Sequence, residues 1–243
     1  MKHFQVTRAS PRVAHIKLVQ SSDNSNPSKS VWEELRLLFI GFSSDPKTTC
    51  IILSSTLGFG HEAFLNPIHD RDAREQFDSG LAAVETCTKA VICIISGECS
   101  RIGLSLALSC DVRIAVEGTT FVIFGNEKIS DYEIRLLQQV LRYSQNSCWT
   151  HKIIVTAGQF STNDALENGI ISNAYRNSAD AMSNALGLAK TMSMRDPDST
   201  VNTKLSIARA RDPRFVFRAA KARYPEKEMA ADIDFALGLK SKI

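Results

Sequence analysis

The stretch ISGECSRIGLSLALSCDVRIA, Ile95 to Ala115, sets a glycine in a turn of small residues, then an apolar run, then Cys-Asp and a second β-forming run. Just before it, Ala90 to Ile95 is continuously apolar, the pattern of a short strand buried on both faces. The segment therefore predicts a strand, a turn, a short helix around Leu104 to Ser109 and a second strand in DVRIAV. Parallel strands joined by helices are the economical way to bury such a pattern.

The same order continues outward. FQVTR and RVAHIKLV alternate as a hairpin broken at Ser10-Pro11, and the polar SSDNSNPSKS reads as a loop ending in a helix cap. A helical pattern from Val31 to Phe42 leads into TTCIILSS, another doubly buried strand, and AREQFDSGLAAVETCTK is an amphipathic helix. Beyond Asp131 the pattern predicts almost continuous helix, with Ser161 or Thr162 as a cap and Gly169 as a stop in STNDALENG. No internal repeat is visible.

The 243 residues are 44% hydrophobic and 23% charged, enough for one sizeable core. No apolar run approaches the roughly 20 residues that span a bilayer. Met1 to Arg8 lacks the apolar centre of a secretory signal. Six cysteines, Cys50, Cys87, Cys93, Cys99, Cys110 and Cys148, form no CxxC pair, and most lie in apolar runs, so they are read as reduced and structural. No His, Cys, Asp or Glu cluster has metal-ligand spacing.

A formal charge of +3 argues against RNA as a general partner. Eight basic residues fall between Lys204 and Lys227, including Arg209, Arg214, Arg218 and Lys221. They read either as a solvated helical face or as a contact for a phosphate-bearing ligand.

IILSS…AF, AVICIISGECSRIGLSLALSCDVRIA, TTFVIF and STNDALENGIIS, in that order, resemble the crotonase family, also called the enoyl-CoA hydratase/isomerase family. Its typical stretch reads PVIAAVNGxAxGGGxxLALACDxRIA. The match of Cys110 to Ala115, at its spacing from Gly97, Ala165 and Gly169, is the most specific part, and the similarity runs from the hairpin to about Ala174. The resemblance implies an α/β fold, a crotonase-like spiral of repeated ββα units over residues 1–175. A C-terminal helical region over 176–243 would build trimers, often paired into hexamers. It implies an acyl-CoA thioester as ligand, with coenzyme A as part of the substrate and no separate cofactor.

The family chemistry is an oxyanion hole of two backbone N–H groups that holds a thioester enolate, and any residue but proline can supply such a donor. Carried over by position, the donors fall at Ala63 and at Ile102, the latter just before Gly103 at a helix start, where the helix dipole favours negative charge. Around Ala63 the chain departs from the family: Glu62 replaces a glycine and Phe64 an aspartate. His61 and Glu62 are candidate lining residues; a surface histidine is the simpler reading of His61.

Hydratases of the family use two glutamates, and those positions read Ser105 and Gly125, which disfavours hydration. Ser105 in a small-residue helix reads as packing, and Asp111 as a structural carboxylate. An isomerase needs one base, which the resemblance places at Glu133 near the start of the following helix. An acidic residue in a first helical turn has its own reason to be there, so two readings stay open. One is an isomerase converting 3-enoyl to 2-enoyl thioesters with Glu133 as base; the other is a catalytically degenerate acyl-CoA binder or assembly subunit. Ser241-Lys242-Ile243 resembles the peroxisomal address Ser-Lys-Leu, with cytoplasm as the alternative location.

Overall fold

The structure, a computed structural model, describes residues 3–19, 27–56, 58–60, 71–123 and 131–211. The expected hairpin forms from β1 (Phe4–Ser10) and β2 (Val13–Leu18). Helix α1 (Pro27–Ser44) is longer than the periodicity indicates and starts at a proline, a residue suited to a first helical turn. Then follow β3 (Cys50–Ser55), α2 (Arg71–Glu85), β4 (Ala90–Ile95), β5 (Glu98–Ser100) and α3 (Arg101–Leu108). The run continues through β6 (Val112–Val116), β7 (Thr120–Val122) and α4 (Asp131–Tyr143). The chain thus makes two successive ββα turns, β4-β5-α3 and β6-β7-α4.

The expectation of nearly continuous helix beyond Asp131 is corrected. Between α5 (Ser147–Val155), α6 (Thr162–Glu167), α7 (Ser178–Ser193) and α8 (Pro197–Arg211) lie two three-residue strands, β8 (Gln159–Ser161) and β9 (Asn173–Tyr175). Strands this short carry no alternation to read. Their pairing comes from the sheets: β9 closes the edge of β1-β2-β3-β4-β6-β9, and β8 closes β5-β7-β8. Apart from the β1–β2 pair, the larger sheet is parallel throughout.

That sheet is buried on both faces. Ile51, Leu53, Val91, Cys93 and Ile95 point into the main core with Trp32, Phe39 and Phe77, while Cys50, Ile52, Ile92 and Ile94 point to the other side. There α7 lays Ala181, Ala185 and Ala189 on the strands, three small residues one turn apart on one helix face. Ser161 and Asp164 make the capping box of α6, and Gly169 follows at φ +77°.

Five of the six cysteines are buried and all six are free; Cys148 is exposed. Burial pushes the Cys50 thiol up to about 12, which suits an inert structural role. No helix among the described residues is long and apolar enough to cross a membrane.

Candidate active site

The loop after β3 and the start of α3 are locked together through backbone. The Phe59 N–H donates to the Glu98 carbonyl at 2.9 Å, and Gly58 (φ +84°) lies so close to the β4–β5 turn that an added Cβ would stand 2.6 Å from the Glu98 oxygen. Across the same loop, a Cβ on Gly103 would stand 1.7 Å from the Phe59 carbonyl oxygen. Only glycine permits that approach. The close approach at Gly103 is therefore what brings residues 58–60 against the first turn of α3, one residue after Ile102.

Ile102 is buried in that first turn, where helix N–H groups have no partner within the helix. Ser100, the N-cap, makes no side-chain cap bond to them; its hydroxyl points to the Gly60 carbonyl at 3.4 Å. A donor at Ile102 thus sits where a developing oxyanion can be held. Ala63, His61 and Glu62, with Phe64 and Gly125, lie outside the described residues, as do Arg214, Arg218, Lys221 and the Ser241-Lys242-Ile243 tripeptide.

Glu133, on the third residue of α4, is only 2% exposed, so it is not a solvated first-turn acid. Its Oε1 accepts from Arg101 Nη2 at 2.8 Å, in an ion pair whose side chains are 3% and 12% exposed. Arg101 is the first residue of α3 and has φ +44°, a left-handed conformation that a non-glycine residue adopts at a cost. The carboxylate expected as base and the donor expected at Ile102 are in this way connected through one side chain.

Ser105 is closed off. It is 1% exposed, and its hydroxyl donates to Gln139 Oε1 at 2.5 Å. The Gln139 amide reaches Ser109 Oγ at 3.0 Å and the Ser105 carbonyl at 3.3 Å, with Glu85 at 3.4 Å. Arg135 joins by pairing with Glu85 at 3.1 Å and with Asp78 at 3.1 Å. This polar network ties α2, α3 and α4 together at the position where a hydratase carries a glutamate.

Two residues of the most recognisable motif have structural work. Asp111 accepts the Val91 N–H at 2.8 Å and pairs with Lys204 at 2.7 Å. Arg113 donates to the Cys110 and Ile170 carbonyls at 2.8 and 2.7 Å and lies 4.3 Å over the Tyr143 ring. Lys204 corrects one expectation: it is neither part of a solvated face nor turned to a phosphate, but docks α8 onto the core, also donating to the Lys89 carbonyl at 3.0 Å. Burial disfavours its charge, yet the Asp111 carboxylate paired with it outweighs this and raises its pKa.

Arg101 and Gln139 are the residues that sequence reading missed. Arg101 left a signal, since it stands at the first glycine of the family's GGG; Gln139 left none, its partner being 34 residues away. Among the described residues no group of three His, Cys, Asp or Glu side chains could hold a metal.

A family model described as enoyl-CoA hydratase/isomerase matches residues 8–224. The mitochondrial Delta(3,5)-Delta(2,4)-dienoyl-CoA isomerase of Mus musculus is 23% identical over 227 residues, covering 86% of this chain and 69% of the relative. The peroxisomal protein of that name in Arabidopsis thaliana is 23% identical over 141 residues, 57% of this chain and 49% of its own length. Among solved structures, a monofunctional enoyl-CoA isomerase from M. smegmatis superposes with a TM-score of 0.74 at 21% identity, covering 87% of this chain and 95% of that one. An enoyl-CoA hydratase from Bacillus halodurans gives 0.73 at 18%, covering 98% and 100%. Neighbours this distant establish the crotonase-like fold and leave the chemistry to the side chains. With the family model matched across most of its length, the chain belongs to the enoyl-CoA hydratase/isomerase family.

Proposed function

We propose that the protein is an acyl-CoA isomerase that moves a double bond from the 3- to the 2-position of an enoyl thioester. The observation that carries this is the delivery of a single buried carboxylate, Glu133, to the first turn of α3. In the proposed step Glu133 takes a proton from C2, and the electron pair of that C–H bond forms C1=C2 and moves the carbonyl pair onto the thioester oxygen, giving a dienolate conjugated with C3=C4. The N–H groups of Ile102 and Ala63 hold the resulting dienolate. Glu133 then returns the proton at C4, leaving the double bond between C2 and C3.

One base suffices for this sequence, whereas adding water needs a second acid/base group. Ser105, bonded to Gln139, does not supply one. The dienoyl-CoA isomerase relatives support an isomerase, and their name extends the candidate substrates to a 3,5-dienoyl thioester. The catalytically degenerate reading is favoured by one observation, that Glu133 is already engaged by Arg101.

The test is turnover of 3-enoyl-CoA and 3,5-dienoyl-CoA by the purified protein, beside Glu133→Gln. Turnover lost in the variant supports the isomerase; an inactive wild type that still binds acyl-CoA supports the degenerate binder. One further family trait is a proposal with a direct check: a trimer or hexamer, read by sedimentation.

A further inference from the structure

We infer that Arg101 is the positioning residue of the reaction: its guanidinium fixes the Glu133 carboxylate relative to the Ile102 N–H. The inference rests on the reading of Glu133 as the base. Three observations converge on it. Arg101 precedes the expected oxyanion donor by one residue, so a side chain rooted there shares the frame of that donor. It stands at φ +44°, where glycine is the unstrained choice and the family motif has glycine. The long side chain is nevertheless kept and buried, and its Nη2 reaches Glu133 Oε1 at 2.8 Å.

Backbone strain and a buried ion pair are both unfavourable on their own. Strain held next to a site points to a constraint that the site needs. Here the constraint joins α3 to α4 at the one place where donor and base must keep register. Other joints between these helices already exist through the Ser105–Gln139 bonds, so holding the helices together does not require the pair. A planar guanidinium also fixes a carboxylate's orientation in a way a lysine ammonium does not.

The test compares Arg101→Gly, Arg101→Lys and Glu133→Gln with wild type, reading kcat and KM for 3-enoyl-CoA and unfolding midpoints. Arg101→Gly relieves the strained backbone, which offsets part of the cost of taking this cation from Glu133, and the unfolding midpoints read what remains. The expected result is a fall in kcat of about 10- to 100-fold with KM little changed, the scale of a reacting group misplaced by an ångström. Arg101→Lys should recover part of the loss, and adding Arg101→Gly to Glu133→Gln should lower kcat no further.

If Glu133→Gln abolishes turnover while Arg101→Gly matches or exceeds wild type, the positioning role is overturned and the base stands. Full activity in Glu133→Gln, or no turnover in wild type, removes the base and the positioning role with it. A loss of stability in the Arg101 variants with kcat intact assigns the pair to structure alone and also overturns the inference.

Discussion

Gly103→Ala probes the contact that holds residues 58–60 against the first turn of α3. The added Cβ would lie 1.7 Å from the Phe59 carbonyl oxygen and 2.6 Å from the Phe59 carbonyl carbon. An ordinary C···O contact is about 3.3 Å, so loop and helix must part by roughly 1.5 Å. The loop cannot retreat freely, because Gly58 is pressed on the Glu98 and Ser96 carbonyls and Phe59 donates to Glu98. Overpacking of this kind costs about 1–3 kcal/mol, and losing the Phe59–Glu98 hydrogen bond about 1 kcal/mol more. The expected loss is therefore about 2–4 kcal/mol, read by urea unfolding, with turnover reduced about 100-fold in the fraction that stays folded. Gly187→Ala is the control: it lies inside α7 with nothing within 4 Å of an added Cβ and should stabilise by about 0.5–1 kcal/mol. A Gly103→Ala protein within about 0.5 kcal/mol of wild type, with unchanged turnover, would refute the close approach as the joint of the site.

Gln139→Leu removes the partner of Ser105 and Ser109 and should cost about 2–3 kcal/mol in unfolding experiments, since buried hydroxyls and a carboxylate lose a bond each. Lys204→Met should free α8 from the core, raising its proteolysis rate, and leave Asp111 without its cation at a cost of about 1–3 kcal/mol. Because the folded pKa of Lys204 is raised above 10.5, its contribution is complete below that pH and is lost as pH climbs through the folded value; an alkaline unfolding limb should shrink in Lys204→Met. His15 behaves in the opposite sense. Burial, then Lys17, lowers its pKa from 6.5, so its contribution is present above 6.5 and fades as pH falls toward the folded value, a slope that His15→Gln should flatten.

The frame of the site was legible because it rests on local pattern. The doubly buried run Ala90 to Ile95, the small-residue turn and the Cys110 to Ala115 motif each have a short-range physical cause, and they announced strand, helix start and strand in the right order. Gly103 could be singled out by position, although the reason for it, the Phe59 carbonyl, needed the structure. Long-range partners were not legible. Nothing near Lys204 shows that it will meet Asp111 across 93 residues, and the basic run around it suggested a solvated face instead. Likewise the sequence offers Glu133 both as a base and as an ordinary helix-start acid, and its burial against Arg101 is a long-range feature with no local signal.

The central claim is that Glu133 removes the C2 proton of an acyl thioester whose enolate oxygen is held at the start of α3. Its most direct test is exchange of that proton in D2O, followed by NMR on bound 3-enoyl-CoA, for wild type and Glu133→Gln at matched saturation. The expected result is C2 exchange in wild type and its loss in the variant with ligand affinity retained. Equal exchange in both proteins, or none in a wild type that binds the thioester, would contradict it.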